Sequence, residues 1–166
     1  MRHLNPFTLN LQQIDFYHEL FTKFVREKAN YDLKLNEEGL EYVDGWLGSA
    51  HERLKNGDLT LDLTEIGGSR MLYSEFLVAG AGSYIAKLIV KETGAEIITG
   101  AELGKHSEIK QKTHSKLKVT AVKHKDGNLF PWAWVGKQIE FGESDSVAVK
   151  YKVTAGIKRK KFLGWF

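Results

Sequence analysis

The longest stretch of helical hydrophobic periodicity in the chain extends from Arg70 to Thr93. Apolar and small residues recur there at intervals of three and four in two neighbouring rows, which predicts a helix buried around most of its circumference. The first row is Leu72, Phe76, Ala79, Ser83, Ala86 and Val90, and the second is Leu77, Ala81, Tyr84 and Leu88. Ser69 is the predicted N-cap of this helix, and Gly94 is its predicted end.

Five small residues, Ala79 to Ser83, occupy the middle of the predicted helix. A glycine inside a helix costs about 0.5–1 kcal/mol relative to alanine, so Gly80 and Gly82 predict the close approach of another segment. The same residues do not complete a phosphate-binding loop. Ala86 stands where the Walker pattern has a glycine before its lysine, and Ile85 stands where the dinucleotide fingerprint has its third glycine. We therefore expect this segment to serve packing.

Two helices are predicted before the long one, from Asn10 to Lys28 and from Glu37 to Lys55. Asn36 is a good N-cap for the second of them. Trp46 lies in this second helix and fits either the core or a partner-facing position, of which the core is favoured. Residues 58–64 alternate leucines with polar residues, which fits a short strand or a loop.

After Gly94 the pattern changes from helical spacing towards the alternation of strands. Residues 95–99 and 116–123 are predicted strands. The dipeptide Asp126-Gly127 is a hairpin-turn signal that leads into a further strand at residues 128–130. The sequence therefore predicts a small antiparallel sheet in the second half of the chain.

Three segments of the second half remain ambiguous on their pattern alone. Residues 101–113 are polar and fit either an edge strand or a loop. Residues 132–141 follow Pro131, which suits a first helical turn, yet a strand is also compatible with their spacing. Residues 146–153 have cap residues before them and alternate as a strand would.

These elements predict one α+β domain over residues 1–166. Residues 1–93 are expected to be mainly helical, and residues 94–166 mainly strands with short helices. We expect the two N-terminal helices to pack on the buried central helix and the small antiparallel sheet to cover its other side.

The composition is typical of a water-soluble globular protein, with 42% hydrophobic and 27% charged residues. No run approaches the roughly 18 apolar residues of a membrane span, so no membrane association is expected. Cysteine is absent, which excludes disulfides and thiolate zinc sites. A cytoplasmic location is the natural expectation.

Charge is distributed unevenly along the chain. Residues 1–83 carry 8 basic and 13 acidic side chains, whereas residues 84–166 carry 16 basic and 8 acidic ones. Such an asymmetry indicates either a charged partner surface or two halves that complement each other.

The sequence contains no recognisable catalytic or metal-binding motif. Neither a GxSxG elbow nor an HExxH zinc motif is present. His106, His114 and His124 fall in one segment and are candidates for zinc, but the neighbouring lysines would repel a cation. The sequence therefore predicts a protein that is not an enzyme and has no cofactor.

The basic stretch Lys105–Lys125 is the most distinctive surface candidate. An acidic protein partner, nucleic acid or plain solvent are the three possibilities for such a lysine row. Nucleic acid is less favoured, because aromatic residues are not interleaved with the lysines and arginine is lacking. The predicted partner-binding residues are Lys110, Lys112, Lys116, Lys118, Lys123, Trp132 and Trp134.

Residues 71–153 resemble small bacterial domains of unknown function of the immunity-protein type, which are found beside secreted toxins. The first part of the resemblance rests on Gly82, Tyr84, Leu88 and Gly94, and the second on Pro131, Val135, Lys137, Gly142, Asp145 and Ser146. The resemblance implies a helix at 135–141 and a role in binding a partner. It does not extend to residues 1–64.

The sequence thus predicts a non-enzymatic protein-binding module, with neutralisation of a bacterial toxin as the specific form of this function. An acidic surface on the toxin would complement the lysines. The alternative is a nucleic-acid-associated accessory protein that binds through Lys105–Lys125. The sequence does not indicate an oligomeric state.

Overall fold

The computed structural model describes residues 4–99, 108–110, 116–124 and 127–155, with the strands at 108–110 and 116–118 described by their backbone alone. The helices in these ranges are α1 (Leu11–Ala29), α2 (Glu37–Leu54), α3 (Tyr73–Thr93), α4 (Pro131–Phe141) and α5 (Val147–Thr154). The strands are β1 (Thr60–Asp62), β2 (Arg70–Leu72), β3 (Glu96–Ile98), β4 (Glu108–Lys110), β5 (Lys116–Lys118), β6 (Ala121–His124) and β7 (Gly127–Leu129). This is the predicted α+β class.

Helix α3 is the centre of the core, as its double hydrophobic row predicts. All residues from Phe76 to Ala86 are buried, and one continuous hydrophobic cluster surrounds them from Leu9 to Ala155. Gly94 ends the helix in the left-handed conformation, which glycine adopts at no steric cost. Lys87 lies on the less buried strip and forms an ion pair with Asp15 of α1 at 2.5 Å.

The start of α3 differs from the prediction. Residues Arg70–Leu72 pair with β1 as an antiparallel strand, so the helix begins only at Tyr73 and Ser69 is not its cap. The capping group comes from a distant residue instead. Asp58 accepts a hydrogen bond from the backbone N–H of Ser74 at 3.2 Å, which satisfies a donor of the first helical turn.

The layers around α3 also differ in part from the expectation. Helix α1 packs along one side, but α4 rather than the sheet takes most of the opposite side. Helix α2 packs more extensively on α4 than on α3. The strands β3 and β6 contact α3 over a smaller area. The two ambiguous segments at residues 132–141 and 146–153 are helices. Pro131 lies in the first turn of α4, and Ser146 is the N-cap of α5.

The predicted strand at residues 116–123 is divided into two strands. Residues 116–118 pair with β4, whereas β6 pairs with β3 and β7 in a separate sheet. Thr120 marks the break, because its N–H donates to the carbonyl of Phe7 at 2.9 Å and its hydroxyl donates to the carbonyl of Leu9 at 2.6 Å. These bonds tie the N-terminal segment to the point where the chain changes sheets.

The predicted hairpin between β6 and β7 is present, but its register differs from the prediction, and Asp126 lies outside the described residues. His124 pairs with Gly127 and Lys123 pairs with Asn128, so Gly127 is the first residue of β7. Gly127 has a φ of 136°, a conformation that favours glycine.

Candidate functional site

The predicted partner-binding lysines do not all lie on one strand. Lys110 and Lys116 are directly opposite each other in the β4–β5 ladder, where Lys118 is opposite Glu108. Lys123 belongs to the other sheet and is opposite Glu96. Lys112 lies outside the described residues. The structure therefore places Lys123 in a different sheet from Lys110, Lys116 and Lys118, and it places a glutamate opposite Lys118 and opposite Lys123.

Trp132 does not lie on a partner-facing surface. Only 1% of its area is exposed, and its indole N–H donates to the Ser83 hydroxyl at 3.3 Å. The ring fills the space beside Gly82 of α3, so Trp132 is a core residue and its burial does not fit the predicted partner-binding role. Trp134 is half-buried and packs at the edge of the core.

An open cleft lies along α2 instead. It has a volume of about 630 Å³ and is open to solvent. Most of the lining residues lie on one stripe of α2, because residues three and four positions apart share a helix face. Its lining residues are Glu41, Tyr42, Gly45, Trp46, Ser49, Ala50, Arg53 and, from the start of α3, Tyr73.

Contacts between aromatic side chains hold the wall of this cleft in place. The indole N–H of Trp46 donates to the Tyr73 hydroxyl at 2.9 Å. The Trp46 ring also meets the Phe24 ring of the core edge-on, with 5.8 Å between centroids. Tyr42 stacks on Tyr31 with its ring centroid 3.8 Å away and the two planes parallel within 1°. The cleft therefore presents aromatic rings whose orientations are fixed before any ligand binds.

The two charged residues of the cleft differ in their pairing. Glu41 forms a hydrogen-bonded ion pair with Lys152 of α5, and this contact raises the pKa of the Lys152 ammonium. No carboxylate of the described residues pairs with the exposed Arg53. Burial raises the pKa of the Tyr73 hydroxyl, while the hydrogen bond from Trp46 and the charge of Arg53 partly offset this effect. Within the described ranges, Arg53 is thus a cation at the rim of the cleft without a paired carboxylate.

A second, smaller cleft of about 280 Å³ contains the residue types of a hydrolytic triad, Ser74, His51 and Asp58. Their contacts are those of structural residues. The Ser74 hydroxyl donates directly to the Asp58 carboxylate, which caps α3. His51 Nδ1 lies 2.8 Å from the carbonyl of Ile139, so this nitrogen carries the proton and donates to α4. The Ser74–Asp58 bonds tie the start of α3 to the segment that follows α2, and the His51–Ile139 bond joins α2 to α4.

The described residues give no support to a metal centre, because they contain no group of three potential metal ligands. Of the three histidines considered for zinc, His124 lies in β6, and His106 and His114 lie outside the described ranges. Among the described helices, none has the length and the apolar character needed to cross a membrane.

The chain matches no protein-family model, no curated protein and no solved structure. The geometry of the molecule therefore carries the functional argument. The cleft on α2 was missed at the level of the sequence, where Trp46 was favoured as a core residue. The available signal was the spacing of Tyr42, Trp46, Ser49 and Arg53 at steps of three and four, beside the fully buried stripe of α2.

Proposed function

We propose that this chain is a non-enzymatic protein-binding module and that the cleft on α2 is its binding surface. The observation that carries the proposal is the combination, in one cleft, of Tyr42, Trp46 and Arg53 from α2 with Tyr73 from α3, where Arg53 has no carboxylate partner among the described residues. Tyrosine, tryptophan and arginine are the residues that most often dominate the binding energy of protein interfaces. A small-molecule pocket would normally enclose its ligand, whereas this cleft is open along the helix.

Rigidity also supports a protein partner. The rings of the cleft are fixed by Phe24, Tyr31 and the Trp46–Tyr73 hydrogen bond, so little side-chain entropy is lost when a partner binds. The cleft stands on α2, a helix capped by the Asn36 side chain and anchored in the core through Leu40, Val43 and Leu47. A preformed aromatic surface of this kind favours slow dissociation.

The specific form of the proposal is an immunity protein whose partner is a bacterial toxin, in the cytoplasm. This form rests on the resemblance of residues 71–153 to immunity-type domains. Arg53 and the lysines of the strands suit an acidic toxin surface, because opposite charges accelerate association. The proposal assigns the anchoring contacts to the cleft and a steering role to the lysines.

Site-specific photo-crosslinking of the full chain in the cells that encode it tests the proposal. A photoreactive residue at Ser49 in the cleft should crosslink to a protein that the same residue at Lys137, exposed on α4, does not reach. The captured protein is identified, purified and titrated against the variants by calorimetry. Arg53→Glu should weaken binding about 30-fold or more, as expected for a hot spot, while Lys123→Glu on the sheet should change affinity much less.

Several results would reject the proposal. Equal crosslinking from Ser49 and Lys137, or an affinity unchanged by Arg53→Glu, would remove the cleft as the binding surface. Crosslinking to nucleic acid in place of protein would favour the alternative function. A toxin partner adds a test in cells: the wild-type chain should restore growth to cells that express the toxin, and Arg53→Glu should not.

A further inference from the structure

The cleft on α2 has apolar walls that the described part of the chain leaves uncovered. Tyr42, Trp46 and Tyr73 are each only partly buried, although all three pack against the hydrophobic core. The cleft has a volume of about 630 Å³, which lies in the size range of pockets that hold an organic ligand of several rings. Apolar surface with a polar rim is typical of an interaction site, so the cleft is expected to have an occupant.

The charges beside the cleft define which kind of segment fits there. Five of the six charged side chains in α2 are acidic, and Arg53 is the exception. Glu37, Glu38 and Glu41 are exposed in the first two turns of the helix, immediately before the first ring of the cleft, Tyr42. A segment with basic residues followed by aromatic ones therefore matches the order of charges and rings along α2.

Residues 156–166 of this chain have that order. Their sequence is GIKRKKFLGWF, in which four consecutive basic residues, 158–161, precede two phenylalanines, a leucine and a tryptophan. These residues lie outside the described ranges and follow directly after α5. The chain thus contains a segment whose chemistry complements its own cleft.

Helix α5 brings the chain to the acidic end of α2. Ser146 at its start donates to the Asp44 carboxylate at 2.6 Å, and Lys152 further along α5 pairs with Glu41. Helix α5 therefore runs along α2 towards the first turn of α2. The hydrogen bond and the charge of Glu41, with smaller contributions from Glu37 and Asp44, raise the pKa of the Lys152 ammonium. The chain thus already lies beside these carboxylates just before residue 156.

The length of the segment is sufficient for it to cover the cleft. The cleft extends from Glu41 to Arg53 on α2, and twelve residues of helix correspond to about 18 Å. The eleven residues 156–166 span up to about 36 Å when they are extended. Their starting point is fixed, because Ala155 is buried in the core. All of the cleft is therefore within reach.

We propose that residues 156–166 of this chain occupy the cleft on α2 of the same molecule. The basic residues 158–161 lie against the carboxylates of the first turns of α2, and the rings that follow them pack between Tyr42 and Trp46. Aromatic rings favour edge-to-face and offset contacts of this kind. Arg53 at the far end of the cleft can lie over the face of one of these rings.

Covalent attachment makes a weak contact sufficient for this docking. A short linker gives the segment an effective concentration of the order of 1 mM at the cleft, so a contact with an intermolecular Kd of about 0.1 mM is about 90% formed within one chain. The docked segment occupies the surface to which the proposed function assigns the partner, which then has to displace it. Only this consequence for the partner rests on the proposed function.

A spin label in the full chain tests the docking directly. The chain has no cysteine, so Gly164→Cys provides one attachment point for a nitroxide. The label should abolish the amide NMR signals of Trp46, Ser49 and Tyr73, because a nitroxide relaxes the nuclei close to it, and chemical reduction of the label should restore them. A loss of signals that is confined to α5, or that is equal over all exposed residues, would overturn the inference.

Two variants of the labelled chain test the chemistry of the contact. Trp165→Ala should restore the signals of the cleft, and Lys160→Glu, which reverses one of four basic charges, should restore them in part. Lys23→Glu, at an exposed position of α1, changes the net charge equally and should have no effect. A signal loss that neither variant reduces would overturn the inference. Signals lost only from an isotope-labelled chain mixed with separate spin-labelled chains would place the segment of a second copy in the cleft and would overturn it as well.

The protein captured by crosslinking then separates this inference from the proposed function. If the cleft is free in about a tenth of the molecules, the apparent Kd of the partner is raised about tenfold. Trp165→Ala should therefore tighten partner binding about tenfold, whereas Leu11→Ala, which truncates an exposed apolar side chain of α1, should not change it. If the label leaves the signals of the cleft intact while Arg53→Glu weakens partner binding, the inference fails and the proposed function stands. If the signals are lost but Trp165→Ala leaves the affinity unchanged, the segment docks as inferred and the cleft is not the surface that binds the partner.

Discussion

Gly82 of α3 and Trp132 of α4 are packed so closely that a Cβ on Gly82 would lie 2.7 Å from Cγ of the indole and 3.0 Å from Cα of Trp132. The backbone of α4 itself approaches α3 here, so the contact cannot be relieved by a rotation of the side chain alone. The helix penalty of Gly82 is thereby offset by the burial of an indole whose N–H is bonded to the neighbouring Ser83.

Gly82→Ala is therefore expected to destabilise the protein by about 2–3 kcal/mol, because the added methyl group over-packs the α3–α4 contact. Urea denaturation monitored by circular dichroism measures this change. Gly45→Ala is the control, since a methyl group there meets open space and should stabilise the helix slightly. Equal stabilities of the two variants would show that α4 moves aside readily.

The Tyr84 hydroxyl joins the centre of α3 to the segment between α1 and α2. It donates to the carbonyl of Lys34 at 2.6 Å while its ring is fully buried. Tyr84→Phe keeps the ring and removes this bond, so we expect a loss of about 1–2 kcal/mol in the free energy of unfolding. Tyr31→Phe is the matched control, because the structure shows no hydrogen bond from the Tyr31 hydroxyl to a described residue. A loss in Tyr31→Phe as large as in Tyr84→Phe would contradict this prediction.

The Gln138 amide connects α4 to α2 and to the start of α5. Its Nε2 donates to the carbonyl of Asp44 at 3.1 Å, and its Oε1 accepts from the N–H of Val147 at 2.9 Å. The side chain is completely buried, so Gln138→Leu leaves both backbone groups without this partner in an apolar setting.

We expect Gln138→Leu to cost about 2–4 kcal/mol, measured by thermal unfolding with the wild type in parallel. Ser144→Ala removes an exposed hydroxyl that donates to the Phe141 carbonyl at 3.2 Å, and it should cost less than about 0.5 kcal/mol. A mild effect of Gln138→Leu would mean that water replaces the amide at this junction.

His18 makes the stability depend on pH. Burial lowers the pKa of this imidazole, and the positive charge of Lys87 lowers it further, against weaker opposing effects of Glu19 and Asp15. In the unfolded chain the pKa returns to about 6.5, so the unfolded state binds the proton first as the pH falls. The contribution of His18 to stability is therefore complete above pH about 6.5 and is lost progressively below it.

His18→Gln should reduce the dependence of the free energy of unfolding on pH. The free energy of unfolding of the wild type should decrease between about pH 7 and pH 5 more steeply than that of the variant, while at about pH 8 the two slopes should agree. Parallel slopes over the whole range would exclude His18 as the source.

The helices could be predicted from the sequence largely because their caps are local. Asn10 and Gln13 form a capping box at α1, and Asn36 caps α2 through the N–H of Gly39. Pro131 indicates the start of α4, whereas the cap residues predicted for α5, Ser144 and Asp145, lie just before its actual N-cap, Ser146. Local chemistry of this kind is visible in a single sequence.

The errors arose where a distant residue decides the local structure. Asp58 caps α3 from sixteen residues away, and Thr120 breaks a predicted strand because its partners are the carbonyls of Phe7 and Leu9. The cleft on α2 likewise depends on the bond between Trp46 and Tyr73, which are 27 residues apart. No periodicity encodes such contacts, so neither the break nor the cleft was predicted.

The contact between Gly82 and Trp132 can form only late in the synthesis of the chain on the ribosome. Trp132 is made fifty residues after Gly82, which at about 5–20 residues per second is a delay of roughly 3–10 seconds. During that interval α1 can pack on α3, but the face of α3 around Gly82 remains exposed to solvent. The nascent chain therefore exposes an apolar face of α3 to chaperones, or to misfolding contacts, until α4 has been made.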